Sequence, residues 1–373
     1  MNNTCGMIIT GGHNDRMKEL TSKRSVAAVA YGGRYRAIDF VLSNMINSGI
    51  NKVGVVTQYS YRSLMDHIGS GKEWDLDRKI GGLYMFPPYL SGEGSGWYKG
   101  SADGMYHNMS FLRRSTEEYV LITTGNCIYK MTYDAMLESH IESGADITLL
   151  YRDMSDLDEI ELQHLGIVEL NEAQDVVSMN EKSRVPKGSL GSMGVYILRR
   201  TLLITLLEES ASQGYYDFVR DILIKNIGKL KIKGMEYCGY WRSMSSVAMF
   251  YKANMELLNP KVRKELFLDN GKVFTKVKDE TPAKYNEEAD VSNSIVADGC
   301  IIEGKVENSV LFRGVKVEKG AVIRNSIIMQ DAVIKYNADV EYVILDKEVI
   351  ITEGKFLKGE VNYPMIVGKQ TVI

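Results

Sequence analysis

Along the first 227 or so residues, short apolar runs of strand length alternate with stretches whose apolar positions recur at helical spacing. The pattern predicts strands over 6–10, 52–57, 119–123 and 146–150. It predicts helices over 37–48, closed by Gly49, and over 60–68, 101–114 and 132–143. A βαβα order of this kind reads as an α/β fold, a mostly parallel sheet covered by helices. Ligands of such sheets bind beyond the carboxyl ends of the strands, so the loops after Thr10, Thr124 and Tyr240 converge on a site if their strands are neighbours.

The period then changes. After a helix over 246–257 the segment 259–289 is mixed and polar and reads as a linker, and from 290 small or aliphatic residues recur nearly every sixth position, at Val315, Ala321, Ile327, Ala332, Ala338 and Ile344. An Asn-Ser-aliphatic triplet begins at Asn293, Asn308 and Asn325. This is the pattern of a parallel β-helix, in which every sixth side chain points inward and stacks on the coil below. A β-sandwich would alternate with period two, which this stretch does not do cleanly. The predicted organisation is an α/β domain over 1–258, a linker over 259–289 and a β-helix over 290–373.

A chain of 373 residues is too long for one small domain and can bury a large core. Its 45 Lys and Arg against 48 Asp and Glu give a net charge of -3, with no basic block to track a polyanion, so nucleic acid is not an expected partner. No apolar run approaches the 18 or so residues of a bilayer span, and the N-terminus lacks the apolar core of a signal peptide. A soluble, cytoplasmic protein is expected, with no membrane partner and with its four scattered cysteines reduced. All five histidines precede the repeat region, which leaves the β-helix without an imidazole base for acyl transfer. Zinc-ligand spacings, G-x-S-x-G and Walker strings are absent.

The first candidate for chemistry is the string Thr10-Gly11-Gly12-His13-Asn14-Asp15-Arg16 after the first strand. Glycine there lets backbone NH groups approach an anion closely; a plain strand-to-helix turn fits the same pattern, and Arg16 favours the anion. A second string, Tyr31-Gly32-Gly33-Arg34-Tyr35-Arg36-Ala37-Ile38-Asp39-Phe40, gathers cationic and polar groups at a helix start, where they also serve as caps.

Taken with Trp74-Asp75-Leu76-Asp77-Arg78, Trp97-Tyr98-Lys99-Gly100-Ser101-Ala102-Asp103, Glu181-Lys182 and Tyr240-Trp241-Arg242, these strings resemble ADP-glucose pyrophosphorylase (glucose-1-phosphate adenylyltransferase) over nearly the whole chain. The resemblance implies a Rossmann-like nucleotidyltransferase domain followed by a left-handed β-helix. It also implies a reaction in which a glucose 1-phosphate oxygen attacks the α-phosphorus of ATP in line and pyrophosphate leaves. Gly11, Gly12, Arg16, Gly100 and Asp103 would then face the nucleotide, and Glu181, Lys182, Ser192 and Asp217 the sugar phosphate.

The chemistry of the family rests on a divalent cation held by two aspartates. Its Gly-Asp-His-Ile-Tyr-Lys stretch corresponds to Gly125-Asn126-Cys127-Ile128-Tyr129-Lys130, and its Tyr-Trp-Arg-Asp-Val-Gly-Thr stretch to Tyr240-Trp241-Arg242-Ser243-Met244-Ser245-Ser246. Asn126 and Ser243 thus stand at the metal positions, and no catalytic or metal-binding residue is expected; magnesium belongs only to an active partner subunit. In the phosphate loop Asn14 and Asp15 replace a glycine and a hydroxyl residue, and Val26 replaces a lysine associated with phosphate-bearing ligands. The resemblance is closest to the GlgD-type non-catalytic subunit of bacterial glycogen synthesis, which implies a hetero-oligomer, as a heterotetramer, with a catalytic homologue and room for small phosphorylated ligands. An active adenylyltransferase with an altered metal site and a stand-alone sugar-phosphate sensor remain the alternatives.

Overall fold

A computed structural model describes residues 1, 3–11, 14–89, 96–269 and 271–373. The first two-thirds of the chain is built on a nine-stranded sheet whose path runs Val176–Glu181, Gly166–Leu170, Leu190–Arg199, Tyr119–Thr124, Thr4–Ile9, Lys52–Val56, Gly82–Phe86. Ile147–Asp153 joins it by pairing with Leu190–Arg199 and with Ile232–Glu236. The sheet is parallel from Tyr119–Thr124 through Gly82–Phe86 and mixed beyond, because Leu190–Arg199 runs antiparallel to both Tyr119–Thr124 and Ile147–Asp153.

Both faces are covered, so the central strands are apolar throughout rather than alternating. Ile8, Val53, Val55 and Leu121 pack on one side against Ile38, Val41, Leu42 and Met45 of the Ala37–Asn47 helix. Met7, Val120 and Ile122 pack on the other against Met105, Leu112, Leu203 and Leu207. The Ala37–Asn47 helix begins where Asp39 Oδ2 accepts the Arg36 NH at 2.9 Å and ends at Gly49, φ +74°. The stretch expected as one helix over 101–114 is two, Ser101–His107 and Met109–Arg113, broken where Asn108 Nδ2 donates to the Gly104 carbonyl and to the Tyr98 hydroxyl.

The C-terminal part is a three-sided stack of parallel strands, five on each side, as a left-handed hexapeptide β-helix requires. Residues repeat every 15 and then 17 positions, as in the succession Asp290, Lys305, Val322, Asp339, Phe356. The six inward positions read from the sequence are fully buried. The Asn-Ser triplets have a physical reason: Asn293, Asn308 and Asn325 turn one corner with φ of +39°, +46° and +48°, a region Asn enters more readily than other non-glycine residues. Each following serine caps the next coil, with Ser309 NH on Ser294 Oγ, Ser326 NH on Ser309 Oγ and Val343 NH on Ser326 Oγ, all at 3.1 Å.

The segment read as a linker is not loose. Lys284–Tyr285 already pairs as the first strand of the stack, and Pro260–Phe267 is a helix whose Leu266 is fully buried. Farther on, Phe274 NH donates to Ser43 Oγ at 2.8 Å and Lys276 Nζ to the Asp66 carbonyl at 2.6 Å. One apolar cluster spans both halves, joining Met17, Val29, Phe40 and Phe250 to Phe312, Ile327, Met329 and Ile344. Beside it Arg24 Nη2 reaches both oxygens of the buried Asp346 at 2.9 Å. No helix among the described residues is long and apolar enough to cross a membrane.

Candidate active site and interdomain cavity

The parallel strands end level: Ile9 stands opposite both Val56 and Thr124. Thr10, Thr57 and Gly125 therefore follow the strands at one height, and a cavity of about 730 Å³ opens there, lined by Thr10, Thr57 and Thr124. Its far wall is the Leu190–Arg199 strand, whose pairing is interrupted between Ser192 and Tyr196. Within that bulge Gly194, φ +70°, approaches Thr124 so closely that a Cβ would lie 3.0 Å from it. The bulge swings Ser192 and Met193 into the lining.

One half of the cavity holds the loop after the Thr4–Ile9 strand, where a phosphate was expected. Gly11, φ +78° with open space around it, Asn14 and Arg16 line it; Gly12 and His13 lie outside the described residues. Arg16 Nη2 pairs with Glu161 Oε1 at 2.6 Å. At the base of this half the short Cys127–Tyr129 strand pairs antiparallel with Trp241–Ser243, setting Ser243 opposite Cys127, and Met244 NH donates to the Asn126 carbonyl at 2.8 Å. Asn126 and Ser243, 117 residues apart in the chain, thus meet through one short antiparallel ladder. Cys127 donates its thiol to Asn126 Oδ1 at 3.6 Å, and burial pushes that thiol up to about 11, so it is neutral. What gathers there is a carboxamide, a hydroxyl and a thiol.

The other half holds the sugar-side residues. Glu181, Lys182, Ser192 and Asp217 all line it. Burial raises the Glu181 carboxyl above its usual range, against the neighbouring Lys182 charge; Lys182 Nζ lies 3.7 Å from it. Lys182 has φ +51°, a backbone state that costs energy in a non-glycine residue and is typical of positions where direction matters. Asp217 accepts the Ser101 hydroxyl at 3.3 Å and the Arg220 NH at 2.8 Å. Gly100 lies against the Tyr216 carbonyl, 2.4 Å from where a Cβ would sit, so only glycine fits. Asp103 is brought near but not into the cavity: it accepts the Lys99 NH at 2.8 Å and does not line the space. Lys99, quoted in the Trp97–Asp103 string, also lines it, and so do Gln58, Tyr59 and Tyr196, which were not singled out from the sequence. Gln58 and Tyr59 carried the same signal as Thr10, a position just past a strand end.

A second cavity of about 240 Å³ lies between the two halves of the molecule. Arg34, Arg36, Lys276, Lys278, Arg313 and Lys347 line it, with Asp66 and His67. Burial and the neighbouring Arg36 and Arg24 charges pull Lys347 down to about 8, against the pull of Asp346. Burial likewise lowers Arg36, to about 10, and Arg313. Arg313 Nε is buried without a hydrogen-bond partner. His67 meets the buried Asp39 at 2.6 Å, yet burial holds its pKa below the usual range.

Residues 5–260 match the nucleotidyl transferase family model and residues 279–359 the GlmU-like C-terminal hexapeptide model. Proteins named glucose-1-phosphate adenylyltransferase from Bacillus mycoides (strain KBAB4), Bacillus cereus (strain ATCC 10987 / NRS 248) and Bacillus anthracis are each 38% identical over 365 residues, covering 97% of this chain and 96% of theirs. This chain belongs to the glucose-1-phosphate adenylyltransferase family. Asn126 and Ser243, the positions set apart in the sequence, both line the strand-end cavity. Among the described residues no group of three or more His, Cys, Asp or Glu side chains is placed to hold a metal ion.

Proposed function

We propose that the chain is a regulatory subunit of glucose-1-phosphate adenylyltransferase, non-catalytic or catalytically impaired, of the GlgD type. On this reading it works in the cytoplasm in glycogen biosynthesis, where ADP-glucose is made from ATP and glucose 1-phosphate. It assembles with a catalytic homologue, as a heterotetramer, and alters that subunit's output. The observation that carries the reading is the meeting of Asn126 and Ser243 beside a neutral Cys127. A hard dication prefers charged oxygen ligands, and this donor set has none, so it does not fit magnesium. Without that charge the transfer loses several kcal/mol of transition-state stabilisation, about tenfold in rate for each 1.36 kcal/mol.

The interdomain cavity supports the regulatory half of the proposal. Six cationic side chains in a small space, one with an unpaired buried Nε, suit a small phosphorylated ligand. Because its walls come from both the α/β domain and the β-helix, such a ligand would bear on how the two halves sit together. The test is reconstitution: the chain mixed with a catalytic homologue should change that enzyme's turnover or its response to phosphorylated effectors, and no change at saturating chain would overturn the proposal.

A further inference from the structure

The interdomain cavity holds a histidine beside its cations. His67, in the last turn of the Arg62–Ile68 helix, lines it and is 6% exposed. Its Nε2 meets Asp39 Oδ1 at 2.6 Å, while Asp39 Oδ2 accepts the Arg36 NH at 2.9 Å, so both oxygens of the fully buried carboxylate are engaged. Trp74 covers the ring edge-on at 5.9 Å, and His67 Nδ1 has no hydrogen-bond partner among the described residues. Two cations are pinned to the helix that carries it. Arg36 Nη1 donates to the Ser63 carbonyl at 2.6 Å and to Ser63 Oγ at 2.9 Å, and Lys276 Nζ donates to the Asp66 carbonyl at 2.6 Å. Both therefore stay close when the imidazole gains a charge. Arg34, Lys278, Arg313 and Lys347 complete the cationic lining, with Asp66 as its acid. Burial, helped by Arg36 and Lys276, lowers the His67 pKa below the usual imidazole range, against the pull of Asp39.

A proton on His67 adds one more positive charge to a space whose charges already repel one another, and an anion among them offsets that repulsion. We propose that His67 is the proton switch of the interdomain cavity: a bound anion and a proton on His67 favour each other, so this chain takes phosphorylated effectors more tightly as the pH falls. The coupling is reciprocal. The anion-bound form protonates at a higher pH than the anion-free form, so affinity is level above the first of these points, rises as pH falls between them and levels again below the second. On protonation the contact to Asp39 becomes a buried ion pair, which keeps the charged ring in place. The proposal rests on the reading of this cavity as an effector site and adds what sets its strength.

The test is calorimetric titration of the full-length chain with sulfate from about pH 7 to about pH 5. Sulfate keeps its double charge over this range, which phosphate does not, and Lys347, with a pKa of about 8, stays largely protonated. Sulfate affinity should rise about tenfold across the window, with protons taken up on binding, seen as a dependence of the heat on the buffer's ionisation enthalpy. In His67→Gln, whose amide still donates to Asp39, the affinity should stay level and the proton uptake vanish. A rise that survives this substitution, or a level affinity in the wild type, would overturn the switch and leave the effector site standing. Absence of sulfate binding at every pH would overturn the site and the switch together. Should the variant fail to fold, the ring resonances of His67 in the wild type decide: titrated with and without sulfate, their midpoint should move to higher pH, and an unchanged midpoint would overturn the proposal.

Discussion

The cavity at the strand ends is three times the volume of the interdomain one, about 730 against about 240 Å³, yet their charges are arranged in opposite ways. In the larger one the polar groups are satisfied among themselves: Arg16 by Glu161, Asn126 by Cys127, Lys182 beside Glu181. In the smaller one Arg34, Arg36, Arg313, Lys276, Lys278 and Lys347 face one another with Asp66 as the acid in the lining. A protein tolerates such mutual repulsion where a ligand of opposite sign relieves it. The contrast teaches that paired charges in the strand-end cavity and unbalanced positive charge at the domain boundary suit the two cavities to different ligands, as the proposed regulatory role requires.

The largest effect should come from changing the paired side. On the proposed reading, placing aspartate at both positions, Asn126→Asp with Ser243→Asp, should raise ADP-glucose formation from none detectable to a partial level, because Asn14 and Asp15 remain in the loop after the first strand. Adding Asn14→Gly and Ser245→Gly, which frees the Arg16 NH and one Glu161 oxygen, should bring a further gain of about tenfold. Silence in all combinations would mean that more than the metal position has decayed.

Next in size is the pin between the halves. Arg24→Ala leaves Asp346, its side chain 1% exposed, as an unpaired buried carboxylate, and should cost about 3–5 kcal/mol in denaturant unfolding. Arg24→Met with Asp346→Leu should cost far less, since neither charge is then stranded. A smaller effect is expected from Arg313→Ala: removal of one charge-assisted hydrogen bond should weaken inorganic phosphate binding about tenfold without altering glucose 1-phosphate titration.

The smallest is a pH effect centred on Lys347. Its folded pKa is about 8, below an unfolded value of about 10.4. Below pH 8 both states hold the proton and the electrostatic penalty on folding is fully present. Between about 8 and about 10.4 the unfolded chain holds more protons, so stability should rise with pH through that window, and Lys347→Met should flatten the rise. An anion in the cavity favours the charged amine, so phosphate binding near pH 8–9 should take up a proton and weaken as pH rises. Unchanged phosphate affinity from pH 7 to 10 would break the contrast between the cavities.

These features were unequally visible in the sequence. The β-helix was legible because its rule is local: each inward residue and each corner asparagine repeats on a fixed spacing, and Val315, Ala321 and Ile327 announce it without knowledge of any distant contact. The cleft was legible where a motif sat at a strand end, as with Thr10 and Gly11. The pattern of Leu190–Arg199 alone did not show a strand because its bulge breaks the alternation, and the helical break at Asn108 was missed because a tertiary contact to Tyr98 imposes it. Glu161 and the cation cluster were invisible for the same reason. Arg34 and Arg36 look like helix-start residues until Lys276, Arg313 and Lys347 are folded against them from 240 to 313 residues away.

A regulatory subunit of the proposed kind does not make ADP-glucose by itself. Purified alone and supplied with ATP, glucose 1-phosphate and magnesium, it should form no measurable ADP-glucose or pyrophosphate. Turnover in that mixture at a rate comparable to a catalytic homologue's, with no sister protein present, would contradict it.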